Sequence, residues 1–288
     1  MKICILGNCQ AQHLEMMLSF GNKTLSIDRL PPVFDLKLED KDKIYNALHQ
    51  ADVIFAQRIA NEFGLTFISS NELRIHFGNK IVVWPNIYFD GIFPGIQYIY
   101  HNKFGKLLGP LGDYHFSQIY QSHKLGMSVQ DAVVAFSGNG VFHKTPDPIG
   151  LSLEQLRERE LECDVQISDY LESNWRNRRL NYTPNHPTNH VLGEMLTRLC
   201  KFANVRANRA KAENAPYRLD QIYIPASSSI IRRFSLPYDE DKPYKGNSVS
   251  FYQRRVELGS ELDYDPIALV VEFYRVYDFI RSNSGNNA

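Results

Sequence analysis

Gly7-Asn8-Cys9-Gln10 follows directly on the apolar run Ile3-Cys4-Ile5-Leu6, and a helical pattern begins at once. A short strand, a glycine turn and a thiol at the start of a helix form a place where chemistry can happen. Such a turn aims backbone N–H groups and the positive end of the helix at whatever sits there. A cysteine in that position is expected to have its thiolate stabilised, with an apparent pKa below the free-thiol value of about 8.5, and to serve as a nucleophile near neutral pH. The alternative is a small residue packed beneath a βα turn, because free cysteines are usually buried and inert. The amides of Asn8, Gln10 and Gln12 bring the two readings into balance.

A nucleophilic cysteine needs a base. Of the nine histidines, His186 has the most informative setting, in Thr183-Pro184-Asn185-His186-Pro187-Thr188-Asn189-His190 just before a strongly patterned helix. Pro187 stiffens the backbone after His186, and the helix then sets where the imidazole points. A polar loop or capping role is the plainer reading of this block. His190, one turn into the helix, ranks second as a base. His115 and His143 are further acid/base or ligand candidates, but no His-x-x-x-His spacing or paired carboxylate supports a metal. Basic clusters occur at Arg176 to Arg179, Arg206 to Lys211, Arg232-Arg233 and Arg254-Arg255. Most such clusters are solvated surface.

The elements that must position these residues alternate strand and helix through the first ninety positions. Strands are expected over 2–6, weakly over 25–29, and over 51–56 and 80–84. Helices are expected over 10–18, 40–50 and most of 62–77. Near-continuous apolar strands separated by helices indicate an α/β fold, a small parallel sheet covered by helices. Ligands bind such sheets beyond the carboxyl ends of the strands, where Cys9, Gln57 and Pro85-Asn86 all fall. Residues 86–148 carry one expected helix, opened by Ser128 with Asp131 three positions on. A second capping box, Ser152 with Gln155, opens a helix to about Leu171. A third follows Thr188, with Val191, Leu192, Met195, Leu196, Leu199 and Phe202 as its apolar stripe. Residues 225–259 read as irregular. Asp265-Pro266 starts a last helix running to about Arg281. The expected organisation is a single α/β domain over 1–281, with its core in 1–205 and a helical or irregular extension over 206–281. Residues 282–288 read as a disordered tail.

Composition narrows the function classes. The 288 residues contain 32 basic and 32 acidic side chains, so net charge gives no support to a nucleic-acid partner. No apolar run approaches the roughly 20 residues needed to span a bilayer, and none is expected to do so. The N-terminal run reads as a first strand and not as a signal peptide. Cys4, Cys9, Cys163 and Cys200 are far apart, with no Cys-x-x-Cys pair. That argues against a disulfide framework or structural zinc and points to a reducing cytoplasm.

A strand running into Gly-Asp-Ser, with a distant Asp-x-x-His-Pro before a last helix, is the pattern of the SGNH (GDSL-type) hydrolases and acyltransferases. This chain resembles a thiol variant, with Gly7-Asn8-Cys9 in place of Gly-Asp-Ser and His186-Pro187-Thr188 in place of the histidine block. Thr183 stands where that pattern has an aspartate, no Gly-x-Asn-Asp block is visible, and nothing places a carboxylate such as Asp113 near the histidine. More closely, Gly7-Asn8-Cys9-Gln10, Trp84-Pro85-Asn86 with Gly91-Ile92-Phe93-Pro94, and Asn185-His186-Pro187 resemble the WcbI-type polysaccharide biosynthesis family. The matching blocks extend over about the first two hundred residues.

The resemblance implies an SGNH- or Rossmann-like core and a capsule-related, cytoplasmic acyltransferase. Such an enzyme would take acetyl-coenzyme A as a substrate and O-acetylate a sugar or polysaccharide precursor. Cys9 and His186 would be catalytic, with Asn8 or Asn86 and the N–H groups after Gly7 stabilising the oxyanion. Gly7, Gln10, Asn86, Arg178 and Arg179 would face the coenzyme. A thiol-dependent esterase and a non-catalytic module binding coenzyme A or sugar are the alternatives. A homo-oligomer is compatible with each.

Overall fold

A computed structural model describes residues 1–61, 64–137, 147–239 and 241–284. Four strands form a parallel sheet in the order β2-β1-β3-β4: β1 (Lys2–Leu6), β2 (Ser26–Arg29), β3 (Val53–Gln57) and β4 (Ile81–Trp84). Between them run α1 (Cys9–Gly21), α2 (Lys41–Gln50) and α3 (Ser70–Phe77). This is the expected α/β architecture. The strands β1, β3 and β4 are largely apolar because helices cover the sheet, and Ile54, Phe55, Ala56, Val83 and Trp84 are fully buried. One apolar cluster joins Leu6, Ile54 and Val83 of the sheet to Ile44 and Leu48 of α2 and Leu73 of α3.

Residue contacts divide the chain into two units. The first holds residues 1–89, 152–175 and 185–219, and the second holds 90–151, 176–184 and 220–288. This division does not follow the expected boundary near residue 205, since the chain crosses between units several times.

The helix expected from Ser152 to Leu171 is two helices, Pro148–Glu160 and Ser168–Asn174. Glu160 ends the first and caps the second. Its buried Oε1 accepts the N–H groups of Ile167 at 2.6 Å and Ser168 at 2.8 Å. The helix Asn189–Phe202 buries the expected stripe, except that Phe202, at its last position, is 55% exposed. Residues 203–216 hold a short helix, Arg209–Glu213.

In the second unit, Ser117–Lys124 is a helix that the sequence did not signal, and Val129–Ser137 is the expected one. Ser128 Oγ accepts the Asp131 N–H at 3.1 Å and donates to the Asp131 carboxylate at 2.7 Å. The helix Pro266–Asn283 begins where Asp265 and Pro266 predicted, with Asp265 Oδ1 capping the Ala268 N–H at 2.7 Å. The helix covers residues 282 and 283, the first part of the expected tail; residues 285–288 lie outside the described residues.

The expectation of irregular structure over 225–259 is corrected by a long antiparallel hairpin, Tyr244–Tyr252 with Arg255–Tyr264. Its turn residues, Gln253 and Arg254, both take left-handed backbone angles, φ 44° and 63°. Such turns are usually marked by Asn-Gly or a similar pair, so this hairpin lacks the signal that identifies one in sequence.

Candidate functional site

Gly7 follows β1 in a space where no side chain fits. A Cβ placed there would lie 2.8 Å from both the Ala11 Cβ and the Gln57 Cβ, and 2.9 Å from Gln57 Oε1. Because Gly7 is bare, β1, the first turn of α1 and the end of β3 close on one another. Asn8 then caps α1, its Oδ1 accepting the Gln10 N–H at 2.9 Å. Cys9 is the first residue of the helix and is half-buried.

Around this turn lies a cluster of side-chain amides at the carboxyl ends of β1, β3 and β4. Gln57 Oε1 accepts the Asn8 N–H at 3.0 Å. Gln57 Nε2 donates to Gln10 Oε1 at 3.2 Å, and Gln10 Oε1 also accepts the Ile87 N–H at 3.1 Å. Gln10 Nε2 donates to the Ile87 carbonyl at 3.0 Å and the Asn185 carbonyl at 2.7 Å. Asn86 Oδ1 receives Asn8 Nδ2 at 3.3 Å, Gln10 Nε2 at 3.1 Å and Gln57 Nε2 at 3.3 Å. With its oxygen taken by three donors, Asn86 keeps Nδ2 as the end of its amide able to donate outward.

Asn185 is the residue immediately before His186. Its bond to Gln10 ties the histidine segment to the first turn of α1, across 175 positions of sequence. A second tie lies just beyond His186, where His13 Nε2 donates to Asn189 Oδ1 at 2.9 Å. Asn189 Nδ2 in turn donates to the carbonyls of Glu213, Ala215 and Tyr217 at 3.0 to 3.3 Å. His186 is thus held between two points anchored to α1. Sequence reading set Gln57 at the strand ends but gave it no partner, and it passed over His13 and Asn189, which hold the histidine segment. Amide residues at a strand end or a helix start carry no spacing signature. Only the position of Gln57 at the end of β3 pointed to it.

The electrostatics of Cys9 differ from the sequence expectation. Burial pushes its thiol above the ordinary value, and the backbone N–H groups of Gln10 and of Cys9 itself oppose that shift only in part. The helix start thus lowers the thiol less than desolvation raises it. Cys4, Cys163 and Cys200 are driven further, each up to about 12, chiefly by burial. The N–H groups after Gly7 differ as well, since those of Asn8 and Gln10 are already bonded to side-chain amides.

The remaining candidate residues differ in their surroundings. His190 is half-exposed and lies 3.4 Å from the Glu213 carboxylate. Arg178 is exposed. Arg179, expected to face the coenzyme, is buried in the second unit. Its guanidinium pairs with Asp239 and lies 4.2 Å from the Tyr223 ring centre. Burial lowers its pKa to about 10, which leaves it charged at neutral pH. Asp113 pairs with Lys106 at 2.5 Å, and Thr183 donates its hydroxyl to Tyr114 at 2.9 Å. His115 is fully buried, its Nδ1 accepting from the Tyr277 hydroxyl at 2.9 Å and its Nε2 donating to the Leu107 carbonyl at 3.2 Å. Both ring nitrogens serve the fold of the second unit. His143 lies outside the described residues.

A parallel α/β sheet with a thiol on the first helix and an amide cluster at the strand ends defines the class of protein. The chain belongs to the WcbI family, whose model, described as polysaccharide biosynthesis enzyme WcbI, matches residues 2–208. A solved structure shares the fold with a TM-score of 0.74, covering 99% of this chain and 95% of its own at 19% sequence identity. That protein is WcbI, described as a novel polysaccharide biosynthesis enzyme, in a native form without a disulfide bond between coenzyme A and one of its cysteines. No curated protein matches the chain. Among the described residues, no helix is long and apolar enough to cross a membrane.

Proposed function

We propose that this enzyme transfers an acetyl group from acetyl-coenzyme A to a sugar hydroxyl during capsular or other surface-polysaccharide synthesis. The observation that carries this reading is the Gln10–Asn185 bond, which brings the histidine segment to the helix turn bearing Cys9. The solved relative is described as a form without a disulfide bond between coenzyme A and one of its cysteines, and the naming of that bond supports a coenzyme thiol or thioester beside Cys9. Acetyl-coenzyme A as donor, and four free cysteines, suit a cytoplasmic enzyme.

Because burial keeps the Cys9 thiol protonated at rest, attack needs a base. His186 takes the thiol proton as the sulfur adds to the thioester carbonyl. Asn86 Nδ2 donates to the carbonyl oxygen as it gains charge. The coenzyme leaves as its thiol after receiving the proton from His186, and the acetyl group remains on Cys9. In the second half, His186 takes the proton of the sugar hydroxyl, whose oxygen attacks the Cys9 thioester. Cys9 leaves as the thiol, again protonated by His186.

Intact-protein mass spectrometry after mixing with acetyl-coenzyme A tests this directly. The expected result is one added acetyl group, absent in Cys9→Ser and discharged by an acceptor sugar. Discharge by water at the same rate would indicate an esterase. Coenzyme A binding without any acetylation or turnover would indicate a binding module.

A further inference from the structure

A cavity of about 470 Å³ opens in the second unit beside the tip of the Tyr244–Tyr264 hairpin. Lys103, Lys106, Arg254 and Arg255 line it, and no carboxylate side chain does. Lys106 is offset by Asp113 at 2.5 Å. Lys103 donates to the Asn283 carbonyl at 2.6 Å, and it has no carboxylate partner among the described residues. The guanidinium groups of Arg254 and Arg255 make no ion pair or hydrogen bond with the described residues. Three uncompensated cations therefore face one cavity. Its wall also carries apolar groups from Phe104, Leu107, Val256 and Ile280.

The backbone reinforces the pattern. Arg254 sits at φ 63° and Gln253 at φ 44°, left-handed positions that asparagine and glycine normally fill. Backbone strain of this kind collects at ligand sites, and here it sets an arginine at the mouth of a cavity. Cavities of roughly 300 to 1,000 Å³ suit small ligands, and the planar guanidinium matches phosphate oxygens in pairs.

We propose that this cavity binds the diphosphate group of an activated sugar, with the apolar wall receiving the group esterified to the far phosphate. A diphosphate diester brings two negative charges to three cations, whereas a neutral sugar brings none. The shared chemistry is the diphosphate, and its source is either a nucleotide or a prenyl chain. Only the sugar in this inference rests on the proposed function; recognition of the diphosphate stands apart from it.

Isothermal titration of the full chain at low salt tests the site with uridine diphosphate N-acetylglucosamine, farnesyl diphosphate, free N-acetylglucosamine and coenzyme A. At least one diphosphate ester is expected to bind, and free N-acetylglucosamine is not. Whichever ester binds more tightly identifies the source. In an Arg254→Ala/Arg255→Ala variant, affinity for that ester should fall roughly tenfold or more, with coenzyme A affinity and melting temperature unchanged. Lys103→Ala should weaken the same ester, and it serves as the second variant if the double one does not fold. Failure of both esters to bind, or equal binding by the variants, overturns the proposal. Loss of coenzyme A binding in the double variant would also overturn it, by assigning the cavity to the coenzyme. Diphosphate binding without Cys9 acetylation would leave this site standing while the acyl-transfer reading fell.

Discussion

Gln10 Nε2 lies 2.7 Å from the Asn185 carbonyl oxygen, so the residue after Cys9 is bonded to the residue before His186. With the His13–Asn189 bond, it joins the two halves of the candidate site. Gln10→Leu keeps the side chain's bulk but leaves the carbonyls of Asn185 and Ile87, the Ile87 N–H and part of Asn86 without their partner. The cost to stability is expected to be about 1–3 kcal/mol, the range for a buried polar group left unpaired. Acetyl transfer should fall by more than the loss of folded protein explains. Melting temperature and turnover measured on one sample check this, and a variant with wild-type turnover would show that the tie is not needed.

Gly7→Ala tests the close approach that makes the turn. The added methyl meets Ala11 and Gln57 at 2.8 Å and cannot be accommodated without moving Gln57. Overpacking of this kind typically costs about 1–3 kcal/mol, and here it also dislodges the acceptor of the Asn8 N–H. Denaturant unfolding should show the loss, and substrate saturation should show a lower kcat. An unaffected kcat would separate the turn from catalysis.

Cys9 should label slowly at neutral pH. Its thiol is raised by burial, so the thiolate fraction grows about tenfold for each pH unit up to its pKa. Iodoacetamide labelling should therefore climb steeply from pH 7 to 9, with Cys9 ahead of Cys4, Cys163 and Cys200, which are shifted further. A labelling rate already flat by pH 7 would mean a resting thiolate and remove the need for His186 in the first step.

His186→Ala should lower turnover by roughly a hundredfold or more with coenzyme A affinity within a few-fold, as expected for loss of a general base. His190→Ala should do far less, because that imidazole is half-exposed and faces Glu213. The reverse result would require rebuilding the site around His190.

His115 gives the fold of the second unit a pH dependence. Burial holds its pKa at about 4, against about 6.5 when the chain is unfolded. The unfolded chain therefore binds a proton that the folded one refuses. Stability is full above the unfolded value and declines as pH falls from about 6.5 towards 4, by roughly 3 kcal/mol at most. Melting curves across that range, for the wild type and His115→Gln, should show a shallower decline in the variant. Equal slopes would mean that His115 does not carry the effect.

The strand-and-helix alternation, the glycine turn, Cys9 and the Asp265-Pro266 helix start were legible in the sequence because each rests on local rules: apolar period, turn chemistry and capping. The break after Glu160 was not legible, because its cause is a carboxylate folding over to cap Ile167 and Ser168. Nor was the hairpin, whose turn is forced into left-handed angles on residues that do not prefer them. Arg178 and Arg179 look alike in sequence, yet one is exposed and the other is paired with Asp239 beneath Tyr223. By itself the sequence determined the α/β core and the family. Only the tertiary structure decided that Gln10, Gln57 and Asn86 share hydrogen bonds, that the Cys9 thiol is raised by burial, and that His115 belongs to a core. Hydrogen-bond partners and desolvation depend on atoms brought together from distant positions, and a local pattern does not encode them.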